Sequence, residues 1–561
     1  MLLSYFLLIG GVLNVKQAFI GFSNEGMLTI ALLFVIAGAL HNSGAISRLS
    51  HLIFGKNNSG IMSKMTRLLF PVAGISAFMN NTPVVAILIP AVRSWSERTN
   101  FSASKFLIPI SYAAILGGMC TLIGTSTNLI IYGLMIDFGM EGMGLFEISK
   151  IGIPIALLSI LYIIFWGRRS LPDQKETLVS LSEKTREFVI ELKIMEDYPN
   201  IGRTIEEAGL RHLKGLFLFQ IEREKLIIAP AKPTERLLLN DRLFFTGLPK
   251  TILELQKTPG LQLLKDETFD LKQYDSSQVR PFEAVVSPSS PLIGKNVRNS
   301  KFREKFNAVI IAIHRNGSRI DKKIGDIVLQ SGDTLLVLAE RDFYNRWYAS
   351  NEFYLISRSE VVPSKPNWQV GLAIFALLGL ILLTIFKVLP IVAAAGVATA
   401  LLLISRTISP EEARQSVDFR VLVIIAAALG IAEGLRNSGV AEFFAQQIVS
   451  VSSSFGPMGV ITGLFIITSI LTNFMTNNAT AGMIFPITFA AALQIGSDPR
   501  PFILALAIAA SASFVTPISY QTNLMVYGPG GYRFKDFLRI GIPLQIFVMF
   551  FSVILINYFY F

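Results

Sequence analysis

Long stretches of this chain carry almost no charge: IALLFVIAGAL (30–40), VGLAIFALLGLILLTIF (370–386) and VLVIIAAALGIAEGL (421–435). A run of about 20 apolar residues spans a bilayer as a helix. In lipid only a helix or a closed barrel satisfies its own backbone N–H and C=O groups. Runs this long and unalternating predict helices. Only 16% of the 561 residues are charged and 52% are hydrophobic, whereas soluble domains carry about 25% charged residues. Disorder, a secreted disulfide scaffold and a simple soluble enzyme are excluded. A lone Cys120 supports neither a disulfide framework nor a Cys-based metal site. The four histidines show no HExxH spacing.

Most Lys and Arg, and a similar share of Asp and Glu, fall between residues 168 and 366. Two apolar blocks therefore flank a polar insert. The net charge of +11 is no nucleic-acid footprint, because both signs are mixed through the insert without a basic stripe.

The two apolar blocks repeat one another. SAFMNNTPVVAILIP (76–90) matches TNFMTNNATAGMIFP (472–486) without a gap; TNLIIYG (127–133) matches TNLMVYG (522–528); KIGIP (150–154) matches RIGIP (539–543). Upstream, HNSGAI (41–46) matches RNSGVA (436–441). Four ordered matches define an internal duplication. Loop charge orients the copies. Basic loops near 47–67 (Arg48, Lys56, Lys64, Arg67) and 93–105 (Arg93, Arg98, Lys105) flank the Asn80–Thr82 segment and place its ends on the cytoplasmic side. MIDFGMEG (135–142) reads as external and GRRS (167–170) as cytoplasmic; 405–420 and YRFKDFLR (532–539) are cytoplasmic again. The second polar segment is then flanked by external loops, so the halves are inverted. Inverted repeats are the construction of secondary transporters, with substrate held near the midplane between them. The first half has no counterpart to the span 367–386, and residues 2–13 are short for a crossing; a first span is expected to be missing from this half.

Within the repeat, polar turns interrupt apolar helices. Asn80-Asn81-Thr82-Pro83 and Thr476-Asn477-Asn478 lie inside apolar segments. Such breaks survive at membrane depth only where they line a cavity or are covered by protein. Each is expected to form a helical hairpin whose second arm begins with free N–H groups that attract an anion. Gly124-Thr125-Ser126-Thr127-Asn128 and Ser519-Tyr520-Gln521-Thr522-Asn523 are expected to interrupt the following helices. Their unwound carbonyls, with Asn, Ser and Thr oxygens, suit a hard cation such as Na+. Glu433, the main carboxylate at depth, lies near Arg436 and is expected to be paired rather than proton-carrying.

These residues resemble the divalent anion/sodium symporter family of the ion transporter superfamily, whose hairpins carry Ser-Asn-Thr signatures and whose broken helices carry a Gly/Ala-Thr-Pro-Pro-Asn turn. The chain departs from that pattern at Asn80 and Thr476, which stand for the leading Ser, and lacks the double proline in both turns. The resemblance implies a polytopic α-helical membrane protein of two inverted repeats, working by elevator-type alternating access, with no catalysis and no cofactor. It implies sodium at Ser76, Asn80, Asn81 and Gly124 and at Thr472, Thr476, Asn477 and Ser519. It implies substrate contact at Asn80, Asn81, Thr82, Thr125, Thr476, Asn477, Asn478 and Tyr520. The expected partners are a small inorganic or organic divalent anion, Na+ and the lipid bilayer, without nucleic acid, in a homodimer. The expected location is the inner cell membrane.

The insert has its own duplication. IGRTIEEAG…LLLNDRLFFTG (201–247) matches IGKNVRNSK…IVLQSGDTLLVLA (293–339) at a constant offset of 92 residues. Short alternating strands ending in Gly or Asp turns predict a small α/β sandwich in each copy. Both copies resemble the TrkA C-terminal (RCK-C) domain, a ligand-sensing or dimerising module; no GxGxxG accompanies them, and two roles stay open, binding of an unknown small ligand and a purely structural spacer. The expected boundaries are 1–167, 185–272, 273–360 and 367–561, with 168–366 cytoplasmic. Paired inserts of this kind resemble the sulfate-carrying branch of the family. Because the insert lies far from either hairpin motif in sequence, replacing 185–360 by a linker is expected to leave substrate binding measurable but to alter its regulation or assembly. Three other readings compete: a dicarboxylate/sodium symporter, a metalloid-oxyanion or cation/proton exchanger on the same fold, and a membrane-anchored sensor.

Overall fold

The computed structural model describes residues 2–43, 60–97, 101–173, 189–210, 213, 216–224, 226–247, 258–264, 279–287, 290–315, 318–320, 322, 324–340, 342–347, 352–356 and 365–561. Arg48, Lys56 and Arg98, the last part of the 41–46 repeat match and the outer ends of both expected insert domains lie outside these residues.

The sequence repeat is a repeat of helices. Glu25–Asn42 corresponds to Phe419–Asn437, and the hairpin Ile61–Ser76/Asn81–Glu97 corresponds to Gly456–Thr472/Asn477–Gln494. The broken helix Leu107–Gly118/Ser126–Asp137 corresponds to Pro499–Ser511/Gln521–Tyr527, and Ser149–Tyr162 to Phe534–Tyr560. Among the described residues four segments are long and apolar enough to cross a bilayer: Ser149–Ser170, Asn367–Ile385, Val440–Thr472 and Phe534–Tyr560. The arm Asn81–Glu97 and the pieces of the broken helices are apolar but shorter. The long helices present apolar side chains outward as well as inward, as Phe375, Leu378 and Leu382 do on one and Ile546, Phe550 and Ile554 on another. Helices apolar all round suit lipid.

Contacts sort the loops into two sets. On one side Lys105 Nζ donates to the Leu171 carbonyl (2.7 Å) and Ser104 Oγ to that of Pro172 (2.8 Å). The Tyr532 hydroxyl joins them by donating to the Ser104 carbonyl (2.5 Å). On the other, Arg500 pairs with Glu147 (2.8 Å) and reaches the Gly142 carbonyl (3.3 Å). Burial alone would push the Glu147 carboxyl up, but the Arg500 guanidinium and the Gly144 N–H outweigh it and hold it below the ordinary carboxylate range. The loops assigned by charge to one side, 93–105, 167–170 and 532–539, thus share a face with the insert.

The insert holds two five-stranded antiparallel sheets. The first contains β1 (Val189–Ile194), β2 (Leu216–Arg223), β3 (Leu226–Ile228), β4 (Arg242–Gly247) and β5 (Leu261–Leu263), in the order β3-β2-β4-β1-β5. The second contains β6 (Val279–Val286), β7 (Ala308–Arg315), β8 (Ser318–Arg319), β9 (Thr334–Glu340) and β10 (Phe353–Ile356), in the order β10-β6-β9-β7-β8, which is the same order read from the other end. Even irregularities recur: a bulge at Leu218/Gln220 returns at Ile310/Ala312. Buried Asp241 takes a forked pair of bonds from Arg223 (2.8 and 2.9 Å), and buried Asp333 takes the same from Arg315 (2.7 and 2.7 Å). Such planar double bonding specifies geometry as well as strength. Where an α/β sandwich is expected, the described residues of each copy form one five-stranded sheet with connecting turns, joined in the second copy by the short helices Phe302–Phe306 and Phe343–Trp347. Phe219 and Phe244 of the first sheet pack with Val309, Ile311 and Leu336 of the second.

The insert packs against the membrane part although the two lie far apart in sequence. Buried Arg93, near the end of the hairpin arm Asn81–Glu97, forms an ion pair with buried Glu283 of β6. Val285 belongs to the same hydrophobic cluster as the membrane helices. A Cβ on Gly332 would come within 2.6 Å of Leu524, and one on Gly528 would strike Thr334. The contact arises because Arg93 sits near the far end of the arm Asn81–Glu97, remote from the hairpin turn at its start.

Candidate functional site

Each hairpin closes on itself by the same bond. Ser76 Oγ donates to Asn81 Oδ1 (2.6 Å), and Thr472 Oγ1 donates to Asn477 Oδ1 (2.9 Å). All four residues are buried. The bond fixes which end of each amide carries the N–H groups: Oδ1 faces its own hairpin, leaving Nδ2 to point elsewhere.

The breaks are built alike. Thr121 Oγ1 donates to the Ala77 carbonyl, and Thr516 Oγ1 donates to that of Asn473 (3.3 Å). The same oxygens accept from Gly124 N (3.2 Å) and Ser519 N (3.1 Å). Asn128 Nδ2 then donates to the Thr121 carbonyl (2.9 Å) and Asn523 Nδ2 to that of Thr516 (3.2 Å). One threonine therefore ties each break to its hairpin turn and one asparagine closes the loop behind it. Thr121, Thr516, Asn128 and Asn523 are absent from the expected site residues. Their signal was available, because TLIGTSTN (121–128) aligns with TPISYQTN (516–523).

Two expectations change in detail. The breaks span residues 119–125 and 512–520; Ser126-Thr127-Asn128 and Gln521-Thr522-Asn523 already belong to the restarting helices. The hairpin arms do not begin with all their N–H groups free. Asn80 Oδ1 accepts from Thr82 N (3.4 Å), and Thr476 Oγ1 accepts from Ala479 N (3.3 Å). Asn and Thr are strong N-caps. The helix starts after the breaks, at Thr125 and Tyr520, carry no side-chain cap.

The halves then interlock across the site. Thr82 Oγ1 donates to Gln521 Oε1 (2.9 Å), while Ser126 Oγ and Thr127 Oγ1 donate to Asn478 Oδ1 (3.1 and 3.2 Å). Each hairpin tip thus engages the helix start of the opposite half. Asn81 Nδ2 donates to the Tyr520 hydroxyl (2.9 Å), which also meets Thr125. All twelve expected site residues fall in this one network or beside it.

Oxygens converge where the chain is tightest. A Cβ on Gly124 would lie 2.7 Å from the Gly118 carbonyl oxygen and 2.9 Å from that of Ala77; one on Gly118 would lie 2.7 Å from Asn81 Oδ1. In the second half the Ser513 carbonyl accepts from Asn523 Nδ2 (2.7 Å), and Ser513 Oγ donates to Asn477 Oδ1 (2.8 Å). Among the described residues no group of His, Cys, Asp or Glu is placed to hold a metal. What the site offers a cation is neutral oxygen, the donor type that hard ions take.

The last helix of each half presses on its break. A Cβ on Gly152 would sit 2.8 Å from the Met119 carbonyl oxygen, and one on Gly541 would strike that of Phe514. Gly541→Ala should cost about 1–3 kcal/mol of stability, as overpacking does, and shift the oxygens of the second break. Thermal unfolding and solute-flux measurements on the same preparation check this; flux should fall further than stability.

Glu433 stands apart from the network. It pairs with Arg436 (2.7 Å) and accepts from Gln17 (3.2 Å).

A family model described as a citrate transporter (CitMHS) matches residues 1–509. A Chlamydomonas reinhardtii protein, named for a proposed role in regulating the sulfur deprivation response, is 36% identical over 97% of this chain and 94% of its own length. The "Uncharacterized transporter YfbS" of Escherichia coli is 29% identical over 98% of this chain and 93% of its own. The "Sodium/sulfate cotransporter 1" of Chlamydomonas reinhardtii is 24% identical over 96% of this chain and 84% of its own.

Proposed function

Because the chain belongs to the citrate transporter family, we propose that it is a secondary active transporter carrying a small divalent anion, sulfate foremost, into the cell together with sodium. The observation that carries this reading is the interlocked pair of half-sites, Ser76/Asn81 with Thr121 and Thr472/Asn477 with Thr516. In this reading one sodium is held by oxygens around Ser76, Asn80, Asn81 and Gly124. The other is held around Thr472, Thr476, Asn477 and Ser519. The anion lies between the tips, against Asn80-Asn81-Thr82, Thr476-Asn477-Asn478, Thr125 and Tyr520. The uncapped helix starts at Thr125 and Tyr520 supply N–H groups toward it. Two cations beside a dianion cancel its charge at midplane, which is why a site without cationic side chains suffices. The hairpins and broken helices move together as the carrier of an elevator-type cycle, in a homodimer in the inner cell membrane with the insert on the cytoplasmic side.

Sulfate is preferred because relatives of nearly full length are named for it. A dicarboxylate/sodium symporter is the second reading, favoured by the family's description. Uptake of labelled sulfate and of labelled succinate into proteoliposomes, with and without a sodium gradient, separates the two. Sulfate uptake that needs sodium supports the first; sodium-driven succinate uptake without sulfate uptake supports the second.

The insert, as a pair of TrkA C-terminal-like domains, regulates the carrier in this reading. Its second sheet bears on the arm that begins at Asn81 and on the helix that begins at Gln521. Those two elements meet in the site at Asn81–Tyr520 and Thr82–Gln521. A ligand that shifts the sheet would therefore act on both. Glu283→Ala takes the carboxylate away from buried Arg93 and should cost about 3–5 kcal/mol, whereas Arg93→Met with Glu283→Met should restore stability, as apolar replacement of buried pairs often does. Thermal unfolding checks the stabilities. The double variant, folded but uncoupled, should show an altered uptake rate.

A further inference from the structure

We propose that Tyr520 makes the site select one compact tetrahedral oxyanion over an extended dicarboxylate. This deepens the reading that the anion lies between the hairpin tips and rests on it.

Thr125 and Tyr520 occupy equivalent places, each the last residue before a restarting helix. Their backbones are nearly superimposable, with φ/ψ of −143/144° and −143/146°. Only the side chain differs. Asn81 and Asn477 are likewise equivalent, each with Oδ1 held by its own hairpin. Two-fold pseudosymmetry would thus leave two amide N–H groups, one per half, available to two ends of an extended dianion.

The tyrosine removes one of them. Its hydroxyl accepts from Asn81 Nδ2 at 2.9 Å and reaches Thr125, so the phenol lies across the junction of the halves. Asn477 Nδ2 has no such partner: among the described residues it is buried and without a hydrogen bond, and Asn477 is only 5% exposed. Thr125, standing where a tyrosine would meet it, is too short to reach. A buried amide donor without a partner is costly, about 1–3 kcal/mol, and an oxyanion oxygen is the acceptor that satisfies it. The site therefore keeps one side-chain amide for the anion and fills the other position with a ring. Sulfate-like dianions, with their charge on one centre, need a single anchoring end. Succinate-like dianions need two, separated by a chain whose path the ring obstructs.

The test uses full-length wild type, Tyr520→Thr and Tyr520→Phe in proteoliposomes with a sodium gradient. Uptake of labelled sulfate and succinate is measured alongside ligand-induced thermal shifts with each anion. Wild type should favour sulfate. Tyr520→Thr, which makes the halves alike, should move the sulfate-to-succinate ratio toward succinate by about tenfold or more, the scale on which pocket shape discriminates. Tyr520→Phe keeps the ring and should still exclude succinate. A folded Tyr520→Thr with the wild-type ratio, or a Tyr520→Phe that admits succinate, would overturn the proposal while leaving sodium-coupled sulfate transport standing. If Tyr520→Thr does not fold, Tyr520→Phe alone decides. A wild type that prefers succinate overturns the proposal, and one that neither binds nor moves either anion overturns it together with the function it rests on.

Discussion

Replacing Asn81 or Asn477 with alanine should abolish sodium-dependent uptake and leave a folded, membrane-inserted protein. Each asparagine sits at a hairpin tip, and its amide is used from both ends. Without Asn81, Ser76 Oγ loses its acceptor and the Tyr520 hydroxyl its donor. Without Asn477, Thr472 and Ser513 lose theirs, although Thr472 keeps the Ala510 carbonyl (2.7 Å). Each orphaned buried group costs about 1–3 kcal/mol, enough to scatter oxygens that must converge on a cation and lower uptake by about 100-fold. The helices are anchored over their whole length by apolar packing, so the fold should tolerate the change. Transport assays with size-exclusion profiles check both halves of the statement. Wild-type uptake in both variants would remove these residues from the site.

Exchanging sodium for potassium at fixed pH should reduce sulfate uptake by about 100-fold, the upper range of coupling between two ligands. Potassium is the larger ion, and oxygens pinned as tightly as those around Gly124 leave it little room. The network is made of amides, hydroxyls and carbonyls, so uptake should vary little between about pH 6 and 8, where ordinary carboxylates also keep their charge. Proton coupling would need a carboxylate that cycles. Glu433 is tied to Arg436 and Gln17 outside the network, so Glu433→Gln should keep the sodium dependence. Full wild-type uptake in potassium, lost in Glu433→Gln, would move the coupling site to that carboxylate.

Much of the membrane architecture was legible because duplication and hydropathy are linear properties. The gapless match of 76–90 to 472–486 locates both hairpin turns, since a polar break inside an apolar run has few ways to be satisfied. The insert's offset of 92 residues likewise placed the recurring Asp241 and Asp333. Legibility ended where partners come from different segments. The motifs mark Asn81 and Tyr520 separately, but nothing in their spacing says that a residue of one half closes on the other across 439 positions. Thr121 and Thr516 were overlooked because a threonine in an apolar stretch is ordinary until its hydroxyl is seen bridging a break and a turn. The N–H groups at the hairpin tips looked free because a cap is a matter of rotamer, and Asn80 and Thr476 turn back to fill that role.

By itself the sequence determined the helices, their pairing into two copies, the position of the polar turns between apolar arms and the separate duplication in the insert, because each follows from local period, composition or self-similarity. Tertiary structure alone decided which oxygens converge, that the halves exchange hydrogen bonds, that Tyr520 closes on Asn81 while the equivalent Asn477 amide, among the described residues, stays open, and that the insert holds the arm beginning at Asn81 through Arg93 and Glu283. The physical reason is the same for all four. A hydrogen bond or ion pair depends on ångström-scale distance and direction, and the folding of inverted halves brings together groups whose positions along the chain carry no trace of the meeting.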